Sequence, residues 1–140
     1  MRGSFGKDRR LRARSEFDRV QRGGVRVVSP HFVFLLASRV EAGPSRLGLV
    51  VSRKVGNAVA RNRVKRVCRE CFRLGVAPLP DGIDLVLIAR PGAAHLGFES
   101  CAREWRDIGR KLQKQAVVAL AKGPPRPHVG PDGVLPEPAA

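Results

Sequence analysis

The 21 residues from Arg53 to Arg73 constrain this chain more than any other stretch: eight are Arg or Lys, and only Glu70 is acidic. At about 100° per residue on a helix, Ala60, Val64, Val67, Cys71 and Leu74 fall on one stripe. Arg61, Asn62, Lys65, Arg66, Arg69 and Arg73 fan around the other side. One face can bury while the other carries a dense positive field. Asn57 is a suitable N-cap, and Gly56 lets the chain turn into the helix. Gly75, with Pro78 and Pro80 beyond it, stops the helix. The pattern predicts a helix over 58–74. It is a costly one, because a like-charged i,i+4 pair such as Arg61 and Lys65 destabilises an isolated helix by about 0.2–0.5 kcal/mol. The positive pole of the helix N-terminus adds to the repulsion near Lys54 and Arg61. Such an arrangement points to a polyanionic partner; the plainer alternative is a solvated basic face.

Around this helix the chain reads as an alternation of short elements. Ser15, with Asp18 three residues on, is expected to cap a first helix that carries Phe17 and Val20 on one face and ends at Gly23 and Gly24. Strands are predicted at 25–28, 31–39 and 46–52. The second is apolar on both faces and is expected to be central. The third is expected to pair back on it as a hairpin, with Gly48 where another backbone or a ligand can come close. After the basic helix, a Pro-rich turn leads to a strand over 84–89 and a last helix over 98–121. That helix buries Phe98, Ala102, Trp105, Ile108, Leu112, Ala116 and Ala119. The order α-β-β-β-α-β-α is that of an α+β fold, a two-layer sandwich of helices against one sheet. The expected organisation is a mobile basic arm at 1–14, one domain at 15–122, and a disordered Pro-rich tail at 123–140.

The charge agrees with the helix. The chain carries 21 Arg and 6 Lys against 12 acids, a net +15, which makes nucleic acid the leading partner class. No apolar run is long enough for a membrane span, and no signal-type segment follows the N-terminus, so a cytoplasmic location is expected. Three cysteines do not make a disulfide framework. Cys68 and Cys71 fall near the apolar stripe of the helix and are read as core cysteines, since a zinc site needs two further ligands. A self-sufficient nuclease needs clustered carboxylates or a His- or Lys-based acid–base pair. Here the acids are scattered, Glu70 is best explained by an ion pair with Arg66 or Arg73, and His31, His95 and His128 have no partner motif. The expectation is a binder with no catalytic residues, no metal site and no small-molecule substrate.

The string Ser-Arg-Lys-Val-Gly-Asn-Ala-Val-Ala-Arg-Asn-Arg-Val-Lys-Arg, at 52–66, resembles the Arg-Asn-Arg region of the protein subunit of bacterial ribonuclease P. The similarity extends more weakly from about residue 9 to about residue 120 and includes Ile-Ala-Arg-Pro at 88–91. This resemblance implies an endoribonuclease holoenzyme that removes the 5′ leader of precursor tRNA. Its catalytic centre lies in the RNA subunit, which holds most of the Mg²⁺ required. By position, it implies contacts to the RNA subunit from Arg53, Lys54, Asn57, Arg61, Asn62, Arg63, Lys65, Arg66 and Arg69. Arg63 lies near the buried edge of the wheel and could instead brace another element. The resemblance also implies a leader-binding cleft formed by Phe17, Val33, Leu35 and Lys54. Phe17 could equally be an ordinary core contact. The family often has another aromatic near Leu35, whereas this chain has no Tyr. Finally, the resemblance implies a left-handed β-α-β crossover through the basic helix, against the roughly 98% preference for right-handed connections. The alternative function is a structural, ribosomal-type RNA-binding protein.

Overall fold

The computed structural model describes residues 9–125; residues 1–8 of the expected arm and 126–140 of the expected tail lie outside the described residues. The elements run α1 (Arg14–Gly23), β1 (Val25–Val28), β2 (Phe32–Ser38), β3 (Arg46–Val50), α2 (Ala58–Arg73), β4 (Ile83–Ala89), a 3-10 helix (Pro91–His95), α3 (Phe98–Asp107) and α4 (Gly109–Lys122). The α+β architecture and its order are those expected. The last helix differs, because it breaks at Ile108–Gly109 into two. Glycine is a poor helix interior residue, and its entropy cost falls where the chain must bend. The buried stripe still runs through both pieces, from Ala102 and Trp105 to Leu112, Ala116 and Ala119.

The sheet order is β1-β2-β4-β3. β1 and β2 form an antiparallel hairpin, and β4 lies antiparallel to β2. β3 does not pair back on β2 as expected. It lies parallel to β4, with Leu47 opposite Leu85 and Val50 opposite Ile88, and α2 makes the crossover. Burial explains the insertion. Ile83–Ala89 is buried at six of its seven positions and belongs in the middle, whereas β3 opens on the partly exposed Arg46 and suits an edge. That edge is covered by the chain just before α1: Arg10 bridges to Leu47, and the Leu11 N–H donates to Leu47 O at 3.0 Å. The end of the arm is therefore packed, with Leu11 buried and the Arg9 guanidinium 4.8 Å from the centre of the Phe72 ring.

Strand alternation separates two cores. On one face Phe32, Phe34, Leu36, Leu85 and Leu87 pack against α2, α3 and α4 as the main two-layer sandwich. Trp105 of α3 meets Phe34 edge-on at 5.5 Å between ring centres. On the other face a smaller cluster of Leu11, Val20, Leu35, Ala37 and Val86 lies under α1. α1 is capped differently from the sequence expectation. Its N-cap is Ala13, and the Glu16 carboxylate accepts from the backbone N–H groups of Arg12 and Ala13, both at 3.1 Å. A carboxylate at the positive helix end achieves what the Ser15 hydroxyl was expected to do. Beneath α1, Asp84 is fully buried and accepts from Arg46 Nε at 2.7 Å, Arg46 Nη2 at 2.8 Å and Arg19 Nη2. Arg46 Nη1 also donates to Glu16 at 2.9 Å. This ion network fastens α1 to β3 and β4. Among the described residues no helix is long and apolar enough to cross a membrane.

Candidate nucleic-acid interface

The ends of α2 follow the local chemistry. Asn57 Oδ1 accepts from the Ala60 N–H at 2.9 Å, the expected N-cap. At the other end Gly75 adopts φ +67°. Its N–H donates to Phe72 O at 3.1 Å, and the Val76 N–H donates to Cys71 O at 3.1 Å. This is a Schellman stop, which needs a left-handed residue and so favours glycine. The buried side is Val64, Cys68, Cys71 and Phe72. It is rotated from the predicted stripe, leaving Val67 partly buried and Leu74 exposed. Phe72 draws the helix this way because its large ring is the best apolar group in the last turn.

Rotation places the cations. Asn62, Lys65, Arg66, Arg69 and Arg73 line an open groove of about 460 Å³ together with Glu70 and Arg10. Both Glu70 oxygens are engaged by Arg73, with Nε to Oε1 at 2.9 Å, so Glu70 offsets that one cation and leaves the charges of Arg10, Lys65, Arg66 and Arg69 in excess. The Arg73 guanidinium accordingly draws the Glu70 carboxyl below its usual range. Arg61 stands beside the groove, partly buried, and its buried Nε has no hydrogen-bond partner among the described residues. Arg63 is exposed, is not part of the groove wall and does not sit at a buried edge. Arg53, Lys54 and Asn57 are exposed at the entry to α2 and make a separate patch. Arg10 lies in the arm expected to be mobile except for its last residues, and so is not among the expected RNA contacts. The signal was Leu11, a large apolar residue alone in a basic run, which had to be buried somewhere.

The predicted cleft residues occupy the α1 face of the sheet. Phe17 is half-buried, and its ring rests on Gly48: a Cβ there would stand 2.6 Å from Phe17 Cε1. A side chain therefore fills the place where another backbone or a ligand was expected at Gly48. Leu35 is 8% exposed and belongs to the small core under α1, so it is not an open wall. Val33 is partly exposed and aligns across the strands with Ile88 and Val50, which the sequence reading did not name. Lys54 is exposed in the turn that leaves β3. The arrangement offers an apolar strip beside one aromatic ring, with basic groups at its end.

No group of three or more His, Cys, Asp or Glu side chains among the described residues is placed to hold a metal ion. Asp84, Glu16, Glu70 and Glu104 are each engaged by Arg or His. The three cysteines are buried and free, with Cys71 and Cys101 Sγ atoms 3.8 Å apart.

Comparison with known proteins agrees with this geometry. The ribonuclease P family model matches residues 5–113. The ribonuclease P protein component of Gluconacetobacter diazotrophicus is 40% identical over 109 residues, covering 77% of this chain and 91% of that protein. That of Syntrophobacter fumaroxidans is 43% identical over 107 residues, covering 74% and 89%. Among solved structures, the ribonuclease P protein of Thermotoga maritima superposes with a TM-score of 0.65 at 31% identity, covering 74% of this chain and 97% of that one. A mutant of the Staphylococcus aureus protein gives a TM-score of 0.68 at 30% identity, covering 75% and 88%. The chain therefore belongs to the family of ribonuclease P protein components, subunits of that endoribonuclease.

Proposed function

We propose that the chain binds the catalytic RNA subunit of ribonuclease P through the α2 groove and captures the 5′ leader of precursor tRNA on the α1 face of the sheet. The protein supplies position and charge neutralisation in the cytoplasm, and cleavage belongs to the RNA. The Mg²⁺ that the reaction needs is held mainly by RNA. The observation that carries this reading is the α2 groove: its cations converge on one opening, and its single carboxylate is already engaged by Arg73. Arginine forks suit phosphate oxygens, and a row of them along a helix fits a folded RNA backbone.

Reconstitution tests this. The purified chain alone leaves precursor tRNA intact, and added to the RNA subunit at low Mg²⁺ it stimulates leader removal. Arg61→Ala and Arg66→Ala each weaken RNA binding and reduce the slope of log affinity against log salt by roughly one counterion. Absence of stimulation, or an unchanged salt slope in both variants, refutes the assignment of this face.

A further inference from the structure

The helix layer has a second basic face that the α2 groove does not include. α2, α3 and α4 pack on one side of the sheet, and α1 lies on the other. α3 packs against both α2 and α4. Burial fixes how α4 is turned. Leu112, Ala116 and Ala119 are its buried residues. At about 100° per residue, Arg110, Lys114, Val117 and Ala121 then look outward, and all four are exposed. The Leu112 N–H donates to Ile108 O at 2.9 Å, so the helical path is nearly kept through the break. The exposed Arg106 of α3 therefore stands about 6 Å along the axis before Arg110, and Lys114 about 6 Å after it.

This row is unfavourable for the chain by itself. Arg106 with Arg110, and Arg110 with Lys114, are like-charged i,i+4 pairs. Arg110 and Lys111 also occupy the first turn of α4, at the positive end of its dipole. That turn holds no acid, and no side chain caps it. Asp107 is exposed, stands one turn before Lys111 and offsets a single charge. Among the described residues Arg106, Arg110, Lys111 and Lys114 form no ion pair, whereas Arg19 and Arg46 are bound by Asp84. The one-turn spacing of cations repeats that of Arg61, Lys65 and Arg69 in α2. The family match ends at residue 113, so Lys114 and the rest of α4 lie beyond it.

We propose that the outer face of α3 and α4, centred on Arg106, Arg110 and Lys114, is a second docking surface for the catalytic RNA subunit, where it holds phosphates of the RNA backbone. This rests on the reading of α2 as the seat of that subunit. Cations unopposed by acids and set in a row along a helix complement a polyanion. The guanidinium forks of Arg106 and Arg110 each suit two phosphate oxygens, and the Lys114 ammonium acts as a point charge. The face belongs to the layer that holds α2, and α3 joins the two helices. The leader lies on the opposite layer, beyond the sheet, so the RNA already seated on α2 is the polyanion within reach of α4.

The test measures binding of the full chain to the RNA subunit alone, across a salt series. Arg110→Gln combined with Lys114→Gln removes two charges from exposed positions and keeps good helix formers there. Binding weakens about tenfold, and the slope of log affinity against log salt falls by roughly two counterions. Arg22→Gln combined with Arg26→Gln removes the same charge from exposed positions at the end of α1 and on the β1 edge, and leaves both quantities near wild type. Both double variants keep the wild-type urea midpoint. Wild-type binding by the α4 variant refutes the surface, and equal losses in the two double variants reduce the effect to net charge and refute it too. If the α4 variant binds the RNA subunit normally but its holoenzyme loses affinity for mature tRNA, the face serves the substrate and the assignment to the RNA subunit is overturned. Arg66→Ala keeps the two readings apart. A loss there with none in the α4 variant overturns the second surface alone, and no loss in either overturns the α2 reading and the second surface with it.

Discussion

Asp84→Ala is the substitution whose cost the structure sets most directly. The carboxylate is fully buried and accepts three guanidinium hydrogen bonds, two from Arg46 and one from Arg19. The arginine side chains are only 17% and 13% exposed. Removing the acid leaves Arg19 with no counter-charge and Arg46 with Glu16 alone, both poorly hydrated. Breaking a buried pair from one side costs about 3–5 kcal/mol. Against a typical net stability of about 5–15 kcal/mol, that is a large fraction. In a domain of this size it lowers Tm by roughly 10–20 °C. Reversible urea unfolding with the slope held in common measures the loss. Arg19→Ala and the double variant close a cycle that isolates the coupling. Replacing Arg19, Asp84 and Arg46 together by Met, Leu and Met recovers much of it, because a well-packed apolar trio escapes the desolvation cost. Precursor affinity falls with Asp84→Ala as well, since Glu16 and Arg19 hold the turn of α1 that carries Phe17. A loss below about 1 kcal/mol, the level of an exposed pair, refutes the account of Asp84 as the fastening point.

Acid titration gives a second expectation. Partial burial pushes Glu16 up, but the N–H groups of Arg12 and Ala13 and the Arg46 guanidinium outweigh it and hold the carboxyl below 4.5. Glu104 behaves alike, with burial opposed and exceeded by Ser29 and His31. Both are lower in the folded state, so the stability they contribute is complete above the ordinary 4.5 and is lost as pH falls through their folded values. The urea midpoint of the wild type drops below about pH 4.5, and Glu16→Gln with Glu104→Gln flattens that drop; equal wild-type midpoints at pH 3 and pH 7 count against it. Thiol chemistry gives a third. The hydrogen bond to Cys101, and then burial, push the Cys71 thiol far up, and the hydrogen bond from Cys68 together with burial raises Cys101. The folded protein therefore reacts slowly with iodoacetamide and quickly in urea; one fast equivalent under native conditions contradicts the buried cluster.

What could be read from the chain was what neighbours in sequence decide. Asn57 as a cap and Gly75 as a stop are choices made within a few residues, and both stand. Gly48 does mark a close approach, but by the Phe17 side chain and not by the backbone or ligand expected there. The basic face of α2 was legible from its spacing, but its rotation was not, because Phe72 competes with Leu74 only once the core is known. Strand pairing failed for the same reason. A hairpin is the cheapest closure locally, yet the burial of Ile83–Ala89 on both faces outweighs the longer loop. Arg10, Asp84 with its two arginines, and Glu104 with His31 depend on partners separated by 36 or more residues, as Arg46–Asp84 and His31–Glu104 show. No periodicity encodes such pairs.

The position of β4 has a consequence for how the molecule is made. The strand at the middle of the sheet is the last of the four to leave the ribosome, because synthesis runs from the N-terminus. Until residue 89 emerges, β3 has no strand beside it on that flank, and α2 has been synthesised with nothing to close the layer behind it. Assembly of the sheet is thus a late, long-range event, of the kind that slows folding. The nascent chain presents its most cationic segment before it has a finished scaffold to display it on.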